Sequence, residues 1–387
     1  MNEATKKALL PDGLRDVLPP DAAHEATVAA RLVSAFAARG YQRVDPPLVE
    51  FEDSLLDGAG QAMTTGTFRL MDPVSQRMMG VRADMTIQVA RIAATRLVNA
   101  PRPLRLAYAG NVLRVRGSQL RPERQFMQAG VEIVGTEEPA ADAEIILLAT
   151  DALGEAGVEK LSVDINLPTL IPALCRALDL DEETQVNLRA ALDSKDAAAV
   201  AAVGGQAADW LGALLRATGP VDKALVALRG LNLPADAAAE CERLEKVVKL
   251  IRDAAPNLTL TVDPVEHRGF EYQTGLSFTV FARGVRGEMG RGGRYHVAGN
   301  GEPATGFSLF LDSVLRALPH PDNGRSLYLP HGTDTAQGYA IREQGWITIA
   351  GLAPESNPAA EARRLGCTHI LRDEVVVEVD DSPDNQT

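Results

Sequence analysis

The segment 104–135 commits this chain to a β-sheet. Leu104–Arg114 and Gln125–Gly135 read as two strands, and an arginine-rich turn joins them. On the second strand Arg124, Phe126, Gln128, Gly130 and Glu132 share one face, because successive side chains point to opposite sides of a sheet. A glutamine and a glutamate on one face, with Asp84 and Thr86 in a nearby turn, suit an ammonium group and a ring nitrogen. Buried unpaired carboxylates are costly, so converging acids require a cationic ligand or cationic neighbours. Around the turn, Arg114, Arg116, Arg121 and Arg124 suit phosphate or carboxylate, since a guanidinium donates two parallel hydrogen bonds. A solvated hairpin tip accounts for the same arginines equally well.

The surrounding sequence fills in an α+β chain. Val28, Leu32 and Phe36 repeat on one helical face over 22–39, and Gly40 supplies the cap. Tyr41–Phe51 reads as a strand in which Pro46 and Pro47 are tolerable only at an edge or interface. A hairpin around Asp72-Pro73 follows, then a helix from about Asp84 to Asn99. Asp142 can cap a helix through Leu153. From about 167 to 256 the sequence becomes rich in Ala and Leu, which reads as a helical insertion. Strand-like alternation resumes at Leu258–Val262 and Phe278–Arg283, up to a glycine cluster at 287–293. The expected organisation is a core domain over 1–325, a small α/β domain over 326–380 and a disordered tail over 381–387. Several antiparallel-looking strands without strict βαβ alternation favour α+β over a doubly wound fold.

Charge and composition exclude some functions. The net charge of −13 lowers the prospect of a nucleic-acid partner and of an anionic membrane surface. No apolar run approaches the roughly 18 residues that span a bilayer, and the N-terminus has no apolar signal core, so a cytoplasmic protein is expected. Cys175, Cys241 and Cys367 and the six histidines show no metal-ligand spacing, so neither metal nor cofactor is expected.

Further along, Glu266-His267-Arg268-Gly269-Phe270-Glu271-Tyr272-Gln273 offers an arginine for a carboxylate and a tyrosine for a pocket wall. Gly290-Arg291-Gly292-Gly293-Arg294-Tyr295 and Ala304-Thr305-Gly306-Phe307 allow close backbone approach to a ligand. Together and in order, these elements resemble the catalytic core of histidyl-tRNA synthetase, a class II synthetase, over roughly residues 10–318. Motif one resembles Gly40 through Glu50, and the RPEGT segment appears as Arg82-Ala83-Asp84-Met85-Thr86. Motif two runs from Leu113-Arg114 to Glu132, and Arg268–Gln273 matches the histidine signature RGLDYY. The resemblance implies an antiparallel class II sheet flanked by helices, and a histidine-binding set of Asp84, Thr86, Arg114, Gln128, Glu132, Arg268 and Tyr272.

The departures fall on the ATP side. Motif three's G-x-E-R appears as Phe310-Leu311-Asp312-Ser313, and motif two's R-H-E-R as Arg114-Val115-Arg116-Gly117. Loss of such phosphate clamps removes stabilisation worth several kcal/mol per donor. The tail after 325 is much smaller than the family's anticodon-binding domain. A paralogue with this pattern is the regulatory subunit of short-form ATP phosphoribosyltransferase. Similarity to it implies a non-catalytic homodimer that joins the short catalytic subunit in a hetero-octamer. It also implies feedback regulation of histidine biosynthesis, with histidine as the ligand. An active histidyl-tRNA synthetase and a free-standing amino-acid-binding protein are the competing readings.

Overall fold

The computed structural model describes residues 9–56, 63–117, 121–202, 205–266, 273–321 and 324–379. The chain divides into two compact units, Met1–Pro319 and His320–Thr387. In order, the first contains α1 (Asp21–Ala38), β1 (Gln42–Arg43), β2 (Val49–Phe51), α2 (Glu52–Leu55), β3 (Arg69–Met71), β4 (Met78–Val81) and α3 (Thr86–Thr95). There follow β5 (Leu104–Leu113), β6 (Gln125–Val134), α4 (Pro139–Ala156) and β7 (Leu161–Asn166). The inserted region holds α5 (Leu170–Ala177), α6 (Glu182–Asp193), α7 (Ala197–Ala202), α8 (Gly205–Arg216), β8 (Gly219–Pro220), α9 (Val221–Arg229) and α10 (Ala235–Ala254). The unit closes with β9 (Thr259–Asp263), β10 (Gln273–Ala282), β11 (Gly290–His296), β12 (Pro303–Phe310) and α11 (Leu311–Ala317).

Nine of these strands form one sheet, in the order β1-β5-β6-β12-β11-β10-β7-β9-β8. From β5 to β7 every neighbouring pair is antiparallel, while β1 and β9 run parallel to β5 and β7. Register decides what each face carries. Tyr108 pairs with Gly130, Glu132 with Gly306, Ser308 with both Gly130 and Arg291, and Gly306 with Gly293. Because side chains alternate, Ala107, Val131, Ile133, Phe307 and Leu309 turn to the face covered by α1 and α4. Phe36 of α1 meets Phe307 there, edge to face with ring centroids 5.7 Å apart. The opposite face packs Leu106, Val112, Phe126 and Phe310 against Met85, Val89 and Ala93 of the α3 region. This second face also carries the polar residues Tyr108, Gln128, Glu132 and Ser308.

Several elements differ from the sequence expectation. The strand read over Tyr41–Phe51 is two short strands, because Pro46 and Pro47 cannot donate to a ladder. Helix α3 begins two residues after Asp84, whose carboxylate accepts from the Thr86 amide at 2.8 Å and shapes the preceding turn. Asp142 does not cap α4, which starts at Pro139. Its carboxylate is fully buried instead, 2.8 Å from Arg294 Nε and 3.1 Å from both Arg243 Nη1 and Thr305 Oγ1. The insertion is helical except for β8, which pairs with β9 at the edge of the main sheet. The glycine cluster is no mere punctuation, since β11 runs through it between β10 and β12. A side chain at Gly292 would collide with the Gly306 carbonyl and the Phe278 ring, so glycine permits this close packing.

The second unit is a four-stranded sheet, β13 (Ser326–Leu329), β14 (Ile347–Ala350), β15 (His369–Arg372) and β16 (Val375–Glu378), ordered β14-β13-β15-β16. Its helices are α12 (Thr335–Glu343) and α13 (Pro358–Arg364). The expected tail beyond 380 lies outside the described residues.

Asp142 ties α4 to β11, β12 and the inserted helix α10. Asp142→Ala strands the buried Arg294 guanidinium and is expected to cost about 3–5 kcal/mol. Urea unfolding checks this, and a loss below about 1 kcal/mol would refute the structural role.

Candidate functional site: a buried acid cleft

A narrow cleft opens on the polar face of the sheet, lined by Asp84, Thr86, Glu132, Gln273, Arg291, Tyr295 and Ser308 over Gly292, Gly293 and Gly306. Strand parity assembles it. Gln128, Gly130 and Glu132 alternate along β6, Gly306 and Ser308 along β12, and Arg291, Gly293 and Tyr295 along β11. The missing side chains are as important as those present. Any Cβ at Gly306 would run into the Glu132 carboxyl, and one at Gly130 would meet the Tyr108 ring.

Glu132 is 1% exposed. Tyr295 donates to its Oε2 at 2.9 Å, and the Tyr108 hydroxyl lies 3.2 Å from Oε1. Burial pushes this carboxyl up to about 8, against the opposing pull of hydrogen bonds from Tyr295 and Thr86, while the Asp84 charge pushes it further up. The Tyr108 hydroxyl is raised well above its ordinary range, first by burial and then by Glu132. Gln128 is fully buried and held from both ends. Its Nε2 donates to Asp84 Oδ2 at 2.8 Å and to Ser308 Oγ at 2.6 Å, and its Oε1 accepts from the Met85 amide at 2.9 Å. It therefore fixes the Asp84 carboxylate at the cleft wall.

Of the sequence-derived residues, Asp84, Thr86, Gln128 and Glu132 come together here. Arg114 stands beside the cleft rather than on its lining. Its guanidinium lies 4.9 Å from the Phe126 ring centroid, and its Nε is 3.5 Å from the Ala83 carbonyl. Arg268 and Tyr272 lie outside the described residues. Sequence reasoning passed over Tyr108, Ser308 and Tyr295 as site residues. Tyr108 was accessible in principle, since it shares strand parity with Leu106 and Val112 opposite Gly130. A larger cavity of about 340 Å³ shares Thr86 and Tyr295, with Ile87, Ala90, Arg91 and Ala94 among its walls and no carboxylate among its described lining residues.

A histidyl-tRNA synthetase family model matches residues 13–314. The ATP phosphoribosyltransferase regulatory subunit of Rhodospirillum centenum is 57% identical over 376 residues, covering 97% of both chains. That of Paramagnetospirillum magneticum is 58% identical over 380 residues, 98% of this chain and 100% of its own. The chain belongs to the ATP phosphoribosyltransferase regulatory-subunit family. A crystal structure described as an ATP phosphoribosyltransferase regulatory subunit/histidyl-tRNA synthetase from Bacillus halodurans has a TM-score of 0.79 to this fold. It covers 92% of this chain and 96% of its own at 24% identity, and so speaks to the fold alone.

In this regulatory-subunit chain the corner beyond Phe310 is filled from within. Arg121 is 8% exposed, with its guanidinium 3.8 Å from the Phe310 ring centroid. It pairs with Glu288 at 3.2 Å and with Asp312 at 3.4 Å. Ser313 is buried and its Oγ accepts from Arg316 at 2.9 Å. At Gly117 any side chain would strike the Pro122 backbone, so that position cannot carry an arginine without moving the turn. Among the described residues no cluster of three His, Cys, Asp or Glu is placed to hold a metal ion.

The raised Glu132 carboxyl has a stability consequence. It ionises at 4.5 in the unfolded chain but near 8 when folded, so its stabilising share is complete below pH 4.5 and lost as pH rises through 8. Glu132→Gln is expected to flatten the fall in melting temperature across that window. Parallel profiles for variant and wild type would contradict the assignment.

Proposed function

We propose that this chain is the non-catalytic regulatory subunit of an ATP phosphoribosyltransferase. In this reading it joins the short catalytic subunit in a hetero-octamer, acts on the first step of histidine biosynthesis, and mediates feedback by histidine. Whole-length similarity to proteins named as that subunit supports the reading. The observation that carries the ligand is the buried acid pair Asp84 and Glu132, 5% and 1% exposed, which line one cleft together. Two acids in so dry a site favour a ligand bearing an ammonium and a ring N–H. Asp84, held in place by Gln128, and Thr86 suit the ammonium, Glu132 with its two tyrosines the imidazole, and Arg114, Arg268 and Tyr272 complete the set by family resemblance.

The protein acts in this reading as a cytoplasmic homodimer, without nucleic acid, membrane, metal or cofactor. Among the described residues no helix is long and apolar enough to cross a membrane. Feedback then requires histidine to bind one state of the complex more tightly than the other, and the coupling is reciprocal.

Reconstitution with a short phosphoribosyltransferase, following phosphoribosyl-ATP formation as histidine is added, tests the whole reading. The subunit is expected to raise the partner's turnover and histidine to alter it; failure to co-purify or to change the rate would sink it. Histidine-dependent pyrophosphate exchange by the isolated chain would instead favour a working synthetase. In calorimetry, Glu132→Ala is expected to weaken histidine binding by about a hundredfold, the scale of stripping one partner from a buried charged contact. An unchanged affinity would remove Glu132 from the site.

A further inference from the structure

The cleft is electrically polarised along β11. Tyr295 points to Glu132 at one end, Gly293 carries no side chain, and Arg291 follows two residues further on the same face. Arg294, of opposite parity, turns away to Asp142. Arg291 is the register partner of Ser308, whose hydroxyl holds Gln128 and lies 2.8 Å from the Tyr108 hydroxyl. Among the described residues that line the cleft, Asp84 and Glu132 are the acids and Arg291 is the one cation. The basic end extends beyond the lining. Phe310 has the Arg291 guanidinium 5.8 Å from its ring centroid, Arg121 at 3.8 Å and Arg114 at 6.0 Å. Arg114 feels this crowding. Burial above all brings its pKa down to about 10, Asp84 opposes that, and Arg291 and Arg121 add to the lowering.

We propose that Arg291 is a ligand-binding residue that receives the carboxylate of an amino acid whose ammonium and ring are held by Asp84 and Glu132. The assignment deepens the histidine reading above and rests on it. A zwitterion in the reverse orientation sets its carboxylate against two buried acids and its ammonium against a guanidinium cluster. The polarity of the cleft therefore fixes the direction of entry. Arg291 is half-buried on a central strand and lines the cleft, so its planar fork can meet a carboxylate on the sheet floor. The contact also supplies selectivity, because an amine lacking the carboxylate forgoes it.

Histidine and histamine, which share the ring and the ammonium but differ in the carboxylate, separate the possibilities by calorimetry on the intact chain. Wild type is expected to prefer histidine by about 10- to 100-fold, the scale of a charge-assisted hydrogen-bonded contact. Arg291→Ala is expected to lose most of that preference by weakening histidine, with histamine affinity within about twofold of wild type, and Arg291→Lys to recover part of it. Melting curves establish that each variant is folded; if Arg291→Ala is not, Arg291→Gln carries the comparison. A histidine-to-histamine ratio unchanged by the substitution overturns the role of Arg291 alone, whether both ligands weaken or neither does. A wild type that binds neither ligand overturns the amino-acid reading itself, and this assignment with it.

Discussion

Glu132 places a carboxyl group in the middle of a nine-stranded sheet, with hydroxyls from Tyr108 on β5 and Tyr295 on β11 against its two oxygens. An unpartnered buried carboxylate costs several kcal/mol, so much around it reads as accommodation of that one group. Tyr295 reaches it across β12 because the intervening position is Gly306, where a side chain would occupy the space of the carboxyl. Tyr108 passes over Gly130 for the same reason. Gln128, one turn of the pleat away, has its donors and acceptor taken by Asp84, Ser308 and the Met85 amide. The apparatus is thus organised before any ligand arrives, and the residual cost at Glu132 is what a cationic group can relieve.

Much of this was legible in the sequence because strands have a period of two. Gln128 and Glu132 fall on one face of β6 whatever the register of its neighbours, so their convergence needed no structure. Cross-strand partners do depend on register. The relation of Tyr295 to Glu132 spans two strand pairings and 163 residues of chain, and no local pattern encodes it. The same holds for Asp142, which sits where an N-cap is expected. The pull of a buried guanidinium and a buried threonine, both on later strands, overrides the local capping preference. Glycine depends on the neighbouring strands in another way. Local propensity assigns a run such as Gly290–Gly293 to a turn, but here glycine is what allows β10, β11 and β12 to approach with Phe278 packed over the backbone.

The phosphate-binding side was read from missing residues, and the structure sharpens what is missing. The corner beside Phe310 is not poor in positive charge, since Arg114, Arg121 and Arg291 all lie about its ring. Arg121 is already engaged by Glu288 and Asp312, and burial raises the Asp312 carboxyl while Arg121 and Arg316 oppose that rise. An external polyphosphate has to compete with these internal acids for Arg121. Two positions are closed more firmly, Gly117 by the Pro122 backbone and Ser313 by burial beneath Arg316. Close packing and internal pairing, more than net charge, set what this corner can offer a phosphate.

The two halves of the site differ in how much of their bonding the protein satisfies by itself. Arg121 has carboxylate partners within 3.5 Å, so an anion competing for that side chain gains only the difference between two ion pairs, a small quantity. At the acid end the partners of Glu132 are neutral hydroxyls, which steady a carboxyl without matching its charge, and its ionisation remains displaced to about 8. A cation there gains most of a charged interaction in a dry site. The free energy available to a cationic group is consequently concentrated at Glu132 and Asp84. If two states of an assembly place these residues differently by even a fraction of an ångström, a small amino acid can discriminate between them. The proposed histidine sensing draws on that asymmetry, which rests on the period-two placement of Glu132 opposite Gly306.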